Sequence, residues 1–444
     1  MTAFCHKQLD FGSLFGKEVW ADFEGGRITS DAGVLLLSEI DKRYGVADKA
    51  AQCIDERREE TRIIHEMGTL VKQRIFSIAL GYEDNNDAGT LRMDPALKTA
   101  SERLPETGTD LASQPTLCRL ENSVGKKDLR KLSEALLDLY LKTHPGPRDL
   151  IIVDIDATDD PTHGQQQFSF FHGYYDEHMY HPLLIFDGES GFPMAAVLRP
   201  GNTHASHKAR KILKRIIRRL KRAYPEAEIL IRADAGFAVP GLYRLCEQEK
   251  VHYLIGLVTN ERLKAKSEAL LEKARKGFEQ SQEKQRLFTS FYYRAGSWKR
   301  RRRVIAKAEY TEKGSNQRFV VSNLYGAPGS LYDAIYIQRG DVENRIKELK
   351  VELKADRLSC HLFLANQFRL LLHVFAYSLC WLLRRELRGT ELENAQVGTL
   401  RVKLFKIGAR VKESTRRVWF HLASGYPYKE LFTIALRGIR AAPT

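Results

Sequence analysis

Residues 336–350 read YIQRGDVENRIKELK. On a helix of about 3.6 residues per turn, each residue advances about 100°. Counted from Tyr336, Arg339, Glu343 and Lys350 then fall near about 300°, 340° and 320°. A phenol, two cations and one carboxylate share a narrow stripe. Ile335, Val342, Ile346, Leu349 and Leu353 fall beside it, at roughly 220–280°, and form an anchoring apolar stripe. The stretch is expected to be a helix whose polar stripe is either a solvated edge or a grip on an anion.

Two apolar runs upstream end in acids. After the break His144-Pro145-Gly146-Pro147, the run DLIIVDIDAT reads as a buried strand. Asp154 and Asp156 are two residues apart and so share one face of it. Two carboxylates at the end of an apolar strand are costly unless a cation or hydrogen bonds compensate them. EILIRAD, residues 228–234, is a second such strand, ending in Asp234 and followed by Gly236 and Phe237. Between the two, residues 168–199 read as two antiparallel strands with turns at Asp187-Gly188 and Ser190-Gly191. Residues 206–222 read as a basic helix that buries Ile212, Leu213, Ile216, Ile217 and Leu220. Residues 240–250 read as a helix, residues 253–258 as a strand, and residues 366–384 as a buried helix.

The pattern changes between Val258 and Val320. Charged, helix-like sequence gives way to strand-like LFTSFYYRAGSW and RVIAKAEY, with KRRRR at 299–303 between them. Trp298 beside five cations either packs into a core or stacks on a displaced base while Arg300 and Arg301 hold phosphates.

The 444 residues leave room for about two to four domains. A hydrophobic content of 43% builds real cores and excludes a disordered chain. The 71 Lys and Arg outnumber 56 Asp and Glu, and a net charge of +15 favours a polyanionic partner. The longest apolar run, 370–383, is interrupted by His373, Tyr377 and Ser378 and is too short to span a bilayer. MTAFCHKQLDFG is too polar for a signal segment. Six cysteines (Cys5, Cys53, Cys118, Cys246, Cys360 and Cys380) without a C-x-x-C pair fit a reduced, cytoplasmic protein. His163, His172, His178 and His181 cluster, but at no zinc-finger spacing. Asp84, Asp87 and Asp94 suit turns and caps. SQPTLCRLEN, 113–122, is a capped helix, either an ordinary one or the reading helix of a helix-turn-helix.

Tyr336, two residues, Arg339, three residues, Glu343, six residues, Lys350 resembles the signature of a branch of bacterial insertion-sequence transposases of the DDE type. Asp156-Ala157-Thr158 and Asp234-Ala235-Gly236-Phe237 resemble that family's first and second acid motifs. GYEDNNDAGTLRMDP and SQPTLCRLEN are similar to its N-terminal region. The resemblance implies an α/β fold with a ribonuclease H-like core, which the order of strands and helices also suits. It further implies a mostly helical region at 1–145 that binds transposon ends. The core then occupies 146–258 and 319–388, a β-rich insertion 259–318, and a basic region for DNA contact or dimerisation 389–444.

Catalysis is implied for Asp156, Asp234 and Glu343, with Asp154 in reserve for Asp156. Three hard oxygen donors suit two Mg²⁺ or Mn²⁺ ions. Tyr336, Arg339 and Lys350, together with Trp298, Arg300 and Arg301, are the implied DNA contacts. The implied activity is cut-and-paste movement of an insertion sequence. It comprises metal-dependent endonuclease cleavage at terminal inverted repeats, a hairpin in some members, and strand transfer into target DNA. A homodimer pairing two double-stranded ends, cytoplasmic and associated with the nucleoid, is the implied assembly. A ribonuclease H-like nuclease without strand transfer needs the same acids. A catalytically silent DNA-binding repressor does not need them.

Overall fold

Runs of Ile, Val and Leu four to eight residues long are buried on both faces when strands lie side by side under helices, and such runs form the central sheet here. The computed structural model describes residues 8–441, so Cys5 lies outside the described residues. Eight strands make this sheet. They are β1 (Leu150–Ala157), β2 (Leu183–Asp187), β3 (Pro193–Val197), β4 (Glu228–Ala233), β5 (His252–Leu257), β6 (Gln285–Tyr293), β7 (Arg302–Thr311) and β8 (Gly314–Ser322). Their spatial order is β3-β2-β1-β4-β5-β8-β7-β6. β2 runs antiparallel to both β1 and β3. β4 lies parallel to β1 and β5 parallel to β4. β8 then joins β5 antiparallel, and β7 and β6 follow.

The 259–318 segment therefore consists of a helix, Glu261–Ser281, and strands that hydrogen-bond directly onto β5 through β8. Leu230, Leu254, Ile305 and Val320, one from each of β4, β5, β7 and β8, bury one common core with Leu331 and Tyr332.

The chain divides into two compact units, residues 124–374 and residues 1–123 with 375–444. Helix Lys126–Thr143 belongs with the central sheet because Tyr140 donates to the buried Asp187 at the end of β2, over 2.7 Å. Arg148 closes the same carboxylate at 2.8 Å. The other division between the compact units falls at 374/375, inside helix Phe363–Arg385.

In the other unit, strand Ala409–Glu413 pairs antiparallel with both Arg27–Thr29 and Val418–Leu422. The C-terminal segment 389–441 is thus folded together with the N-terminal one, around Ala32, Ile407 and Ala409. The N-terminal region is helical over Val34–Tyr44, Met67–Leu80 and Gln114–Ser123, but it opens on a hairpin, Gln8–Leu14 with Lys17–Asp22. Asp84 and Asp94 cap helical turns by accepting from Asn85 and Leu97 N–H.

The basic helix runs over Ala209–Ala223 and buries Leu213, Ile216, Ile217 and Leu220. Part of its charge is spent inside the protein: Arg215 and Arg219 pair with Glu134, and Arg218 with Glu249. No helix among the described residues is long and apolar enough to cross a membrane.

Candidate active site

β4 pairs in register with β1, so Arg232 stands opposite Asp154 and Ala233 opposite Ile155. Side chains alternate across a strand, so Asp154 and Asp156 share a face with Arg232 and Asp234. The inner pair is an ion pair buried to the last few per cent, with side-chain exposures of 2% for Arg232 and 0% for Asp154. Both carboxylate oxygens of Asp154 accept from the guanidinium, each at 2.6 Å. Arg232 also donates to the Ile335 carbonyl over 2.8 Å and so fastens the segment that carries Tyr336 and Arg339 to the sheet. This bidentate pairing consumes Asp154, and Asp156 is the acid of β1 that faces the cavity.

Asp156, Asp234, Glu343, Arg339, Lys350 and Tyr175 line a cavity of about 480 Å³ at the carboxyl ends of β1 and β4. Asp156 Oδ1 accepts from the Ala157 N–H at 2.8 Å. Asp234 Oδ1 accepts from the Gly236 N–H at 3.0 Å and caps the single turn after β4. Burial, and then the charge of Asp234, push the Asp156 carboxyl up to about 7, while Arg339 pulls it down. Burial likewise raises Asp234, and Arg339 opposes that shift.

The segment read as one regular helix is built in three parts. Leu331–Tyr336 is wound as a π-helix, Ile337–Arg339 is a 3₁₀ turn, and Gly340–Val351 is α-helical. Wide turns of this kind recur at functional sites. Val342, Ile346 and Leu349 bury its apolar side as expected. Tyr336 packs over β5, where Gly256 leaves it room: a Cβ there would lie 2.6 Å from the Tyr336 hydroxyl and 2.9 Å from the Ala235 nitrogen.

Arg339 bridges two of the acids. Its Nη2 donates to Glu343 Oε1 at 2.7 Å and its Nη1 to Asp156 Oδ2 at 3.3 Å. Among the described residues, no three Asp, Glu, His or Cys side chains are gathered closely enough to hold a metal ion. Two of the three acids are turned onto a guanidinium instead. Lys350 is also engaged, donating to the Asp159 carboxylate at 2.8 Å and to the Asp159 carbonyl at 2.9 Å.

The residues of the KRRRR region lie elsewhere. Trp298 is 5% exposed and packs edge-on against Tyr243 and Tyr293 at 5.3 and 5.7 Å, with the Arg302 guanidinium 5.3 Å above it. It has no face left for a base, which corrects the stacking alternative. Arg300 pairs with Glu247 at 2.6 Å, and Arg301 is exposed.

Sequence reasoning missed Tyr175, whose hydroxyl burial raises to about 12, helped by Asp159 and Asp156. Its only signal was an aromatic run, FFHGYYDEHMY, that reads equally well as packing. His172 and His181 flank the same ring, at 5.2 and 5.9 Å.

The sequence pattern of one family, described as transposase DDE domain group 1, matches residues 11–444. No curated protein matches. Seven chains of solved structures match. One, a piggyBac transposase synaptic complex with hairpin DNA, is 12% identical with a TM-score of 0.43, over 94% of this chain and 83% of that one.

Proposed function

From the premise that this chain belongs to the transposase DDE domain group 1 family, we propose that it moves a DNA element by cutting at the element's inverted-repeat ends and joining the freed 3′ ends to target DNA. The observation that carries this reading is the convergence of Asp156, Asp234 and Glu343, from two strands and a helix, on one cavity. The sheet order β3-β2-β1-β4-β5, antiparallel and then parallel, supports a ribonuclease H-like core beneath it.

Divalent ions fit the donor set. All three side chains are hard oxygen donors, the kind Mg²⁺ and Mn²⁺ prefer. The charge of Asp234 raises the cost of charge on the buried Asp156, so a dication is a better compensation than one shared guanidinium. Held by Asp156, Asp234 and Glu343, divalent ions would supply the charge that activates the attacking oxygen and stabilises the leaving one.

The rest falls to the chain's own side chains. Asp154 and Arg232 fix β1, β4 and the Tyr336 segment as one rigid frame. Arg339, released from Asp156 and Glu343, grips a phosphate of the transposon end in bidentate fashion. Tyr336 hydrogen-bonds a neighbouring phosphate oxygen. Lys350 holds Asp159 and sets a positive charge beside the same wall of the cavity.

The experiment is cleavage of DNA carrying the ends of the element that encodes the protein, in Mg²⁺, by the intact chain and by Asp234→Asn. The variant should bind the ends and leave them uncut. Cutting at the normal rate would remove Asp234 from the chemistry. A pre-cut end separates transposase from plain nuclease, since only the former joins it to a target plasmid.

A further inference from the structure

The KRRRR run is not absorbed by the acid cavity. Its Arg300 to Arg303 line a second cavity of about 620 Å³, together with Glu247, Tyr292, Asn323 and Tyr325. The register puts this cavity at the other end of the sheet. Ala233, just before Asp234, pairs with Ile255, whereas Ser322 pairs with Leu254 and Arg303 with Ser322. Asn323 then turns under the beginning of β5 by accepting from the Tyr253 N–H at 2.8 Å and donating to the Val251 carbonyl at 3.0 Å. Strands rise about 3.3 Å per residue, so the floor of this cavity is on the order of 10 Å from Asp234 along the sheet. A phosphate bound here is not the one being cut.

The cavity is built for anions. Glu247 accepts from Arg302 at 2.9 and 3.1 Å and from Arg300 at 2.6 Å, which leaves the four arginines well in excess of the single acid. Arg302 is 5% exposed, and its Nη1 is buried with no acceptor. An orphaned buried guanidinium N–H is costly. Arg303 is locked by donating to the carbonyls of Leu324 and Gly326, both at 2.7 Å. That pairing fixes the loop on which Tyr325 stands. Tyr325 is 94% exposed and Tyr292 67% exposed, so two aromatic faces stand open beside the guanidinium groups.

Arginines on a phosphate backbone with open aromatic rings beside them are what an unpaired polynucleotide strand requires, because its bases have free faces to stack. A duplex hides those faces. An acidic peptide has charges to offer the arginines but no rings for Tyr292 and Tyr325. We propose that this cavity binds single-stranded DNA, remote from the acids, and so holds a strand that the reaction has separated or displaced. The inference rests on the DNA-directed reading above.

The test is fluorescence anisotropy of a labelled 15-nucleotide oligothymidine with the full chain, against a duplex of equal length, over a range of salt. Arg301→Ala and Tyr325→Ala alter exposed side chains and leave the core intact, which a thermal melt checks. The double variant should lose about tenfold or more in oligothymidine affinity, with a salt slope shallower by about 0.7 for the lost phosphate contact. Duplex binding should stay within about twofold. Unchanged oligothymidine binding, an equal loss on duplex, or displacement of the oligonucleotide by poly-glutamate of equal charge would overturn the inference and leave the transposase reading standing. Failure of the unaltered protein to bind either DNA would overturn both.

Discussion

The Arg339 guanidinium lies 3.3 Å from the carboxylate of Asp156, a residue 183 positions earlier in the chain. The same group reaches Glu343, four residues on, at 2.7 Å. One cation thus occupies the carboxylates that the proposed chemistry gives to metal ions, and it must leave them to hold DNA.

Removing that guanidinium should therefore separate metal binding from catalysis. Without DNA, Arg339→Ala should bind Mn²⁺ about tenfold more tightly than the unaltered chain, which corresponds to about 1.4 kcal/mol. Titration calorimetry measures this. Cleavage by the same variant should fall by about a hundredfold, since a charged group aimed at the reacting phosphate is lost. Weaker Mn²⁺ binding would mean that Arg339 supports the metal site instead of competing with it.

The Asp156 carboxyl, raised to about 7 by burial and Asp234, sets a pH dependence. It holds its proton more tightly folded than unfolded. The metal-free chain should accordingly lose stability as pH rises from about 4 to about 7, with little further loss above that. Asp156→Asn should flatten this part of the melting curve by a few degrees. Metal-dependent cleavage should run the other way and rise through pH 7, because the protonated acid is a poor ligand. Cleavage independent of pH between 6 and 8 would argue against Asp156 as a ligand.

The acids and their neighbours were readable to different depths. A period of two is enough to put Asp154 beside Asp156 on one strand face, and apolar runs ending in acids mark β1 and β4. Which of the two acids is free depends on Arg232, 78 residues away, and no local pattern reports that partner. Helical periodicity puts Arg339, Glu343 and Lys350 on one side, and all three line the cavity. The π-wound Leu331–Tyr336 turn does not follow from that periodicity; Leu331 and Tyr332 pack there against Leu230, Leu254, Ile305 and Val320, residues distant in the chain. Trp298 sits among cations in the sequence and between tyrosines in space, because packing, not neighbours along the chain, decides burial. The pairing of Ala409–Glu413 with Arg27–Thr29 spans nearly the whole chain and leaves no local trace.

Arg232→Ala should test the frame beneath the site. It strands a carboxylate that is 0% exposed, and breaking one side of a buried pair costs about 3–5 kcal/mol. Urea unfolding measures the loss. The double change Arg232→Met with Asp154→Leu should recover most of it, because two apolar groups need no compensation. Equal instability of the single and double variants would show that the pair's charge is not what matters.

Gly256→Ala introduces a methyl group 2.6 Å from the Tyr336 hydroxyl. Overpacking of this kind costs about 1–3 kcal/mol. The ring should be pushed off β5, and cleavage should fall more than DNA affinity. If Gly256→Ala cut as fast as the unaltered protein, Tyr336 would have no positioning role.

The most direct test of the central claim is an anomalous scattering map from crystals grown with Mn²⁺ and end DNA. The account predicts a peak contacted by the carboxylates of Asp156, Asp234 and Glu343, with the Arg339 guanidinium moved onto a phosphate. A peak held by His172 and His181, or none at the three acids with Arg339 still bridging Asp156 and Glu343 beside bound DNA, would contradict it.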